Sequence, residues 1–290
     1  WPDRLYHSTL GGNVYILEAN GTGFVKSYLI EGVDSNAIPI KDIVEDVCEK
    51  VGFHDTEINA SELTETVDGY ILPRAMTGRA AIEGLTAYGF FGSIESDTKL
   101  EFPKRTGAVI RSLTEDDILI SDSGDMSSDN DYFMIRRIEE TALPRELSIK
   151  HVNPALHYQQ SAQRARRIIT RTENIVSRDM AIAMTDSVAK QKANALLDVA
   201  WIERDLYDFK LSYEDADIEP LDSINVTLDG TVYEMIVEGT SHTPGNSLAV
   251  KAKSRNSAAY TNTSTASTPD GLPDDVVATR TARSKLFLAD

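Results

Sequence analysis

Apolar residues follow two different periods along this chain. Spacing of three and four residues predicts helices over 40–51, from a cap at Thr77, and over about 187–204 behind a cap at Thr185 or Asp186. Alternation and short apolar runs between turn residues predict strands. The predicted strands are 13–18, 23–30, 69–72, 90–95, 99–102, 108–113, 117–121, 132–138, 146–152, 163–169, 174–183, 206–213, 223–228, 231–238 and 247–252. The mixture predicts an α+β fold.

Turn residues and apolar stripes refine this picture at several positions. Asp229-Gly230 is the strongest hairpin signal, and Asn20-Gly21 and Ser96-Asp97 are further hairpin turns. Cys48 lies near the apolar stripe of the first helix, which predicts a small core residue and not a nucleophile. Trp201 lies on the stripe of the third helix and is predicted to be core.

Composition agrees with a folded protein of about two domains. The chain has 290 residues, of which 41% are hydrophobic, and no apolar run approaches the ~20 residues that cross a bilayer. Residues 256–275 have a linker composition, and apolar residues return at Leu286–Leu288. The first residue, Trp1, and this ending predict a fragment or processed product that continues into a further domain.

Charge is strongly negative and unevenly distributed. The formal net charge is −17, with −14 over residues 1–144, +3 over 145–213 and −6 over 214–290. Such an acidic surface repels phosphate and argues against stable nucleic-acid binding. The central basic stretch is read either as a solvated, ion-paired face or as a patch that contacts phosphate or a partner. Its arginines are Arg164, Arg166, Arg167 and Arg171.

Candidate metal ligands occur in one short acidic segment. Residues 121–131 contain Asp122, Asp125, Asp129 and Asp131. Their spacing does not match an EF-hand loop and no closing glutamate follows, so an exposed loop is favoured over a calcium site. A single cysteine and five histidines argue against zinc. We therefore assign no metal-binding residue.

The sequence singles out no catalytic centre. It lacks a Gly-x-Ser-x-Gly elbow, a P-loop and a His-Glu-x-x-His motif. His151 and His157 flank a loop that begins at Asn153, and we interpret them as hydrogen-bonded loop histidines. A triad would need a nucleophile that the sequence does not identify. No catalytic or cofactor-binding residue is assigned, and the chain is expected not to be an enzyme.

Two stretches resemble the large tail proteins of long-tailed bacteriophages and of bacterial gene-transfer agents. The first, 42–103, has a helix ending in Val-Gly-Phe, the strand VDGYIL, a helix ending in Tyr-Gly-Phe and an acidic hairpin. The second, 143–228, runs from PRELSIKHVNPALHYQQSAQRARR through ALLDVAWIERDLYDFKL to the turn Glu219–Asp222. Residues 1–38 and 121–131 match this pattern weakly.

The resemblance implies a tail hub protein. It implies β-barrel-like tube domains, an inserted small α/β domain and one long helix. The domains would be 1–39 with 132–256 as the tube or hub domain, 40–131 as an α+β hub domain, and 257–290 as a linker.

The resemblance also implies a place in the virion. The chain would form a homotrimeric ring at the tail tip, joining the tail tube and distal tail proteins to the tip and fibre proteins. An acidic lumen would let DNA pass transiently during ejection. The alternatives are a tail-associated cell-wall hydrolase and a receptor-binding module.

Overall fold

The computed structural model describes residues 37–72, 74–119, 133–156, 158–243 and 247–263, and the backbone of four short strands between residues 4 and 25. The α-helices of this part are α1 (Ile40–Val51), α2 (Gly78–Gly89) and α3 (Asp186–Ile202). Its strands are β1 (Arg4–His7), β2 (Val14–Leu17), β3 (Ala19–Asn20), β4 (Phe24–Val25), β5 (Ile38–Pro39), β6 (Ile58–Asn59), β7 (Thr66–Val67), β8 (Gly69–Tyr70), β9 (Ile94–Ser96), β10 (Lys99–Glu101), β11 (Val109–Thr114), β12 (Phe133–Arg137), β13 (Glu146–Asn153), β14 (Gln159–Arg166), β15 (Ile175–Ala183), β16 (Asp205–Ser212), β17 (Ser223–Leu228), β18 (Thr231–Thr243) and β19 (Ser247–Ser254).

Local capping chemistry sets the ends of the helices. The Thr77 hydroxyl accepts from the Ala80 backbone N–H at 3.3 Å, and the Thr185 hydroxyl caps α3 in the same way. α1 ends at Gly52, whose φ of 111° is readily adopted only by glycine. The three predicted helices are confirmed, each within two residues at both ends.

A four-stranded sheet with the order β14-β13-β15-β8 carries α3 on one face. β13 pairs with β14 in antiparallel and with β15 in parallel orientation. Side chains of β13 alternate, so Leu147 and Ile149 point toward the helix and are buried. Ala189 and Ala193 of α3 are fully buried in the same core, and their small size lets the helix approach the sheet closely.

A six-stranded sheet with the order β11-β17-β18-β19-β16-β12 is strongly curled. Ile118 forms a bridge to Leu211 on β16, only four residues after Thr114 at the end of β11. Leu211 pairs with β19 on its other side, so Ile118 lies on the side of β16 that faces β12. In a flat sheet, Thr114 on β11 and Ile118 at this place would be five strand spacings of ~4.8 Å apart, about 24 Å in total. Four residues reach at most about 14 Å, so the sheet must bend round on itself.

The α+β class is therefore confirmed, with a barrel-like curl in one sheet. The curled sheet is not hydrogen-bonded into a closed barrel within the described residues. There, β11 pairs with β17 alone, and β12 with β16 alone. Both strands keep one free edge in this part of the chain.

The chain alternates between two hydrophobic cores. The helices and the four-stranded sheet share one core, to which residues 40–102 and 143–201 contribute. The interior of the curled sheet is the other large core, built from Leu113, Ile118, Phe133 and buried residues between Tyr207 and Ala252. The predicted domains, 1–39 with 132–256, then 40–131, then 257–290, stay a prediction. The helical core joins residues from both of the first two predicted domains.

Polar contacts link the two parts of the molecule. The Ser96 hydroxyl donates to Glu219 Oε1 at 2.7 Å. The Arg255 guanidinium is buried and donates to the carbonyl oxygens of Arg105 and Gly107 at 3.1 and 2.5 Å. Because the guanidinium is charged and planar, these two hydrogen bonds fix its orientation relative to the main chain of residues 105–107. The two cores are thus fixed to each other by more than the connecting chain.

One predicted strand is wrongly placed. The pattern predicts a strand over 163–169, but β14 covers Gln159–Arg166. Arg166 pairs with Glu146, the first residue of β13, so the ladder has no partner strand beyond this point. Ile168 and Ile169 therefore lie in the loop that follows.

Turn and strand details differ in smaller ways. The described part of the predicted strand 117–121 holds the end of a 3-10 turn (Glu115–Asp117) and a bridge at Ile118 instead. The turn between β9 and β10 is Asp97-Thr98, one residue later than predicted, and both residues have positive φ. Asp229-Gly230 forms the predicted hairpin turn, also with two positive φ angles.

Several predictions concern residues at the margins of the described part. β1 pairs with β2, and β3 pairs with β4. Asn20 is the last residue of β3, and Gly21 of the predicted turn lies outside the described residues. The predicted strand 23–30 is described only as β4. The acidic segment 121–131 and most of the linker 257–290 lie outside the described residues.

Gly84 of α2 provides a test of the packing. A Cβ at this position would lie 2.5 Å from the Tyr70 hydroxyl, which donates to the Ala81 carbonyl. We expect Gly84→Ala to lower the free energy of unfolding by about 1–3 kcal/mol through overpacking. In a Tyr70→Phe background the clash is absent, and the same change should stabilise by up to about 1 kcal/mol through helix propensity. Urea unfolding of the four proteins measures both values. Equal destabilisation in the two backgrounds would contradict this account.

Candidate functional site

A buried polar network lies where α3 begins. Asp186, the first residue of the helix, accepts from Asn153 Nδ2 at 2.9 Å and from the Ser161 hydroxyl at 2.8 Å. His151 Nε2 lies 3.0 Å from Asp186 Oδ1. The positive end of the α3 dipole favours a carboxylate at this position. The network therefore joins β13, β14 and α3 in one polar cluster.

The order of groups in this network does not fit nucleophilic catalysis. In a serine triad the imidazole lies between the hydroxyl and the carboxylate, so that it can take the hydroxyl proton. Here the Asp186 carboxylate lies between Ser161 and His151. A structural role in holding α3 on the sheet fits the geometry. His151 is a buried residue of β13, so its prediction as a loop histidine is wrong; His157 lies outside the described residues.

Two residues predicted to be core are confirmed as such. Cys48 is buried, and desolvation, with a smaller effect from Glu45, raises the pKa of its thiol to about 11. A thiolate nucleophile is therefore disfavoured at neutral pH. Trp201 is buried in the core under α3, and its indole N–H donates to the Pro144 carbonyl at 2.8 Å.

The predicted basic stretch divides into two kinds of arginine. The Arg167 guanidinium lies 4.4 Å from the centre of the Trp201 ring, and Arg164 lies 3.7 Å from Glu146. All four arginines are exposed to solvent. The ion-paired interpretation therefore describes part of the stretch, and the partner-contacting interpretation stays open for the rest.

An exposed apolar tip lies within this stretch. We call residues 167–171, in the loop between β14 and β15, the isoleucine tip. Ile168 is 85% exposed and Ile169 is 91% exposed. Ile175 is also exposed and begins β15 at the same end of the sheet. Adjacent, almost fully exposed isoleucines are typical of a surface that is covered by a partner.

An open cleft of about 950 Å³, lined by apolar and charged side chains, lies between the three helices. Val51 and Phe53, at the end of α1, line it and are 58% and 42% exposed. The remaining apolar lining comes from the three helices, from β10, from the residues that follow α2 and β10, and from the turn before β17. These residues include Val47, Ile82, Ala87, Phe90, Phe91, Leu100, Phe102, Leu196, Val199 and Leu221.

Free sheet edges add to the exposed surface. β14 has one free edge within the described residues, as do β11 and β12. β11 exposes Val109 and Ile110, and β12 exposes Met134 and Ile135. Unpaired edges with exposed apolar residues are a liability in a monomer. The arrangement is typical of a subunit that assembles with other subunits.

No cluster of three or more histidine, cysteine, aspartate or glutamate side chains suited to a metal ion occurs in the described ranges. None of the helices described there has the length and apolar character to cross a membrane.

Comparison with known proteins identifies the family. Residues 77–239 match the family model described as "Putative phage tail protein". This match covers more than half of the 290 residues. The chain belongs to this family of phage tail proteins. No curated protein matches the sequence.

Solved structures share the fold. A protein in the virion of a native gene transfer agent particle aligns with a TM-score of 0.71 and 20% identity over 79% of this chain. The tail protein from Neisseria meningitidis MC58 aligns at 0.52 and 9% identity, over 80% of this chain and 72% of its own. The 43 kDa tail protein of prophage MuSo2 from Shewanella oneidensis aligns at 0.50 and 10%, over 80% and 66%. The chain spans half the length of the gene transfer agent protein.

These comparisons confirm the resemblance seen in the sequence. The chain is a phage tail protein, and its predicted location in the virion tail is confirmed at that level.

The sequence did not reveal three features of the surface and core. The pattern indicates only a helix cap at Thr185 or Asp186, because the contact of Asp186 with His151 depends on strand register. The pattern also places the isoleucine pair in a strand. The cleft forms between helices that are distant in sequence. The sequence signal for the tip is an Ile-Ile pair between arginines that is not followed by further alternating apolar residues.

The buried histidine should make stability depend on pH. Desolvation lowers the pKa of His151 below its ordinary 6.5, although Asp186 opposes the shift. The unfolded chain therefore binds this proton more readily than the folded chain. The neutral His151 therefore contributes its full stabilisation of the fold above about pH 6.5. This stabilisation is lost as the pH falls from there through the pKa of His151 in the folded protein.

We expect wild type to lose more stability than His151→Gln between pH 7 and pH 5. The difference in the free energy of unfolding between the two proteins should change by at most about 1.4 kcal/mol per pH unit, the value for one proton. Urea unfolding at pH 7, 6 and 5 gives the comparison. Parallel pH profiles for the two proteins would show that His151 does not titrate on unfolding.

Proposed function

We propose that this chain is a structural hub protein of the tail tip. In this proposal three copies form a ring that continues the tail tube and connects it to the tip and fibre proteins. The observation that carries the proposal is the family match over residues 77–239. The shared fold with a protein of a gene transfer agent virion supports it.

Exposed edges support a ring of subunits. The curled sheet of each copy leaves β11 and β12 with free edges in the described part of the chain. Neighbouring subunits would cover such edges, because pairing or packing removes unsatisfied backbone groups from solvent. A cyclic assembly gives every copy the same neighbours.

The acidic charge supports a channel for DNA. Three copies would carry about three times the net charge of −17. A negative wall repels the phosphate backbone, so DNA would slide through without stable binding. This part of the proposal predicts contact with DNA only during ejection.

A structural role without catalysis is part of the proposal. The Ser161, Asp186 and His151 side chains are arranged for structure and not for proton relay to a serine. The buried Cys48 thiol has a raised pKa. Neither observation favours the cell-wall hydrolase alternative, and the placement of Trp201 in the core gives no support to a receptor-binding aromatic platform.

Imaging and mass measurement test the hub proposal. We expect averaged images of the assembled particle to show this chain at the tail tip with threefold symmetry. Light scattering of the purified full-length protein should give the mass of a trimer. A monodisperse monomer at micromolar concentration, or sixfold placement along the tube, would contradict the proposal. Clearing of cell wall in a zymogram by this chain would favour the hydrolase.

A further inference from the structure

The isoleucine tip has a complement on the same chain. The sequence around the tip, residues 164–171, carries four arginines and no acidic residue. Residues 45–57, around the end of α1, carry five acidic residues and one lysine. Each segment also exposes two large apolar side chains, Ile168 and Ile169 in one and Val51 and Phe53 in the other. The two segments therefore match in charge and in exposed apolar side chains. The cleft between the helices carries both signs of charge, Arg79, Arg105 and Arg178 with Glu83 and Glu203, so the acidic complement to the tip is the end of α1.

These surfaces are not in contact within one copy. The exposed fractions of Ile168 and Ile169 leave almost no room for a neighbour in the same chain. Val51 and Phe53 lie at the cleft and are about half exposed. A second molecule can bury both pairs at once, which favours contact through the hydrophobic effect.

Charge argues for a second copy as the occupant. Residues 145–183 carry seven basic and three acidic side chains, whereas the whole chain has a net charge of −17. A symmetric contact of tip with tip would place arginines against arginines. A contact of the tip with the acidic end of α1 pairs opposite charges. The partial negative charge at the C-terminus of α1 adds to this attraction.

We propose that the isoleucine tip of one copy docks at the end of α1 of a second copy, with Ile168 and Ile169 entering the cleft beside Val51 and Phe53. Different surfaces meet in this contact, so it is heterologous, and each copy can engage two neighbours. The inference deepens the proposed function, since it names a contact by which a ring would be built. It does not require a particular number of subunits.

Cysteine cross-linking tests the contact directly. Cys48 is buried and is replaced by alanine to give a background without thiols. Ile169→Cys and Val51→Cys are then made in separate full-length proteins, one of them tagged, and mixed with a short bismaleimide. We expect covalent mixed dimers on mixing and little cross-linking of either protein alone. The double variant should give a ladder of higher oligomers.

A matched control uses another exposed valine. Val232, at the start of β18, is 57% exposed and lies outside both surfaces. Val232→Cys mixed with Ile169→Cys should give at most about a tenth of the cross-linked product, because only docked thiols are held at a high effective concentration. Product from the Ile169 and Val51 pair should also fall as salt rises from 0.05 to 0.5 M, because salt screens the charges.

A second pair of variants measures association. Ile168→Asp with Ile169→Asp should weaken self-association at least about tenfold in light scattering, because it places acid against acid and removes two apolar contacts. Val232→Asp should leave association unchanged. Both variants are at exposed positions, and equal thermal unfolding midpoints confirm that the fold is intact.

The outcomes separate this inference from the proposed function. A ring that persists in the aspartate variant, with no Ile169–Val51 cross-link, would overturn the docking contact and leave the hub proposal standing on another interface. Cross-links without threefold density at the tail tip would support the contact and contradict the hub. Wild type that stays monomeric and uncross-linked would overturn self-docking and, with it, the ring of the proposed function.

Discussion

Close packing of α3 against the four-stranded sheet is the interaction on which most of this structure depends. Ala189 and Ala193 bring the helix near β13. At its N-terminus, Asp186 has donors from Asn153 and Ser161. The opposite face of the helix packs Ala195 and Val199 against Phe90 and Tyr260. One helix thus fixes the sheet, one wall of the cleft and the segment after β19. A larger residue on the alanine face would separate all three.

The interleaving of two cores has consequences for assembly. The chain passes from the helical core to the curled sheet and back, so neither core can move far from the other without breaking buried contacts such as those of Arg255. Rigid subunits lose little conformational entropy on association. The same chain leaves free edges at β11, β12 and β14. A stiff body with unsatisfied edges and an apolar tip is suited to a permanent place in a larger structure.

Local chemistry explains why many elements were predictable. The helices at Ile40, Gly78 and Asp186 follow from apolar spacing together with a threonine cap or a glycine stop. Asp229-Gly230 forms its hairpin because both residues tolerate positive φ. The burial of Tyr207, Phe209 and Leu211 along β16 follows from alternation. Each of these signals acts within a few residues, so no knowledge of distant contacts is needed.

The amino-acid sequence alone determined the α+β class, the helix ends, the acidic character and the phage tail resemblance. Tertiary structure decided which strands share a sheet, that β14 ends at Arg166, and that His151 meets Asp186. It also decided that Ile168 and Ile169 point into solvent while Val51 and Phe53 line an open cleft. The physical reason is that hydrogen-bond partners and burial are set by residues far apart in the chain. The residue type alone does not distinguish an isoleucine in a strand from one at an exposed tip, because its neighbours in space decide its burial.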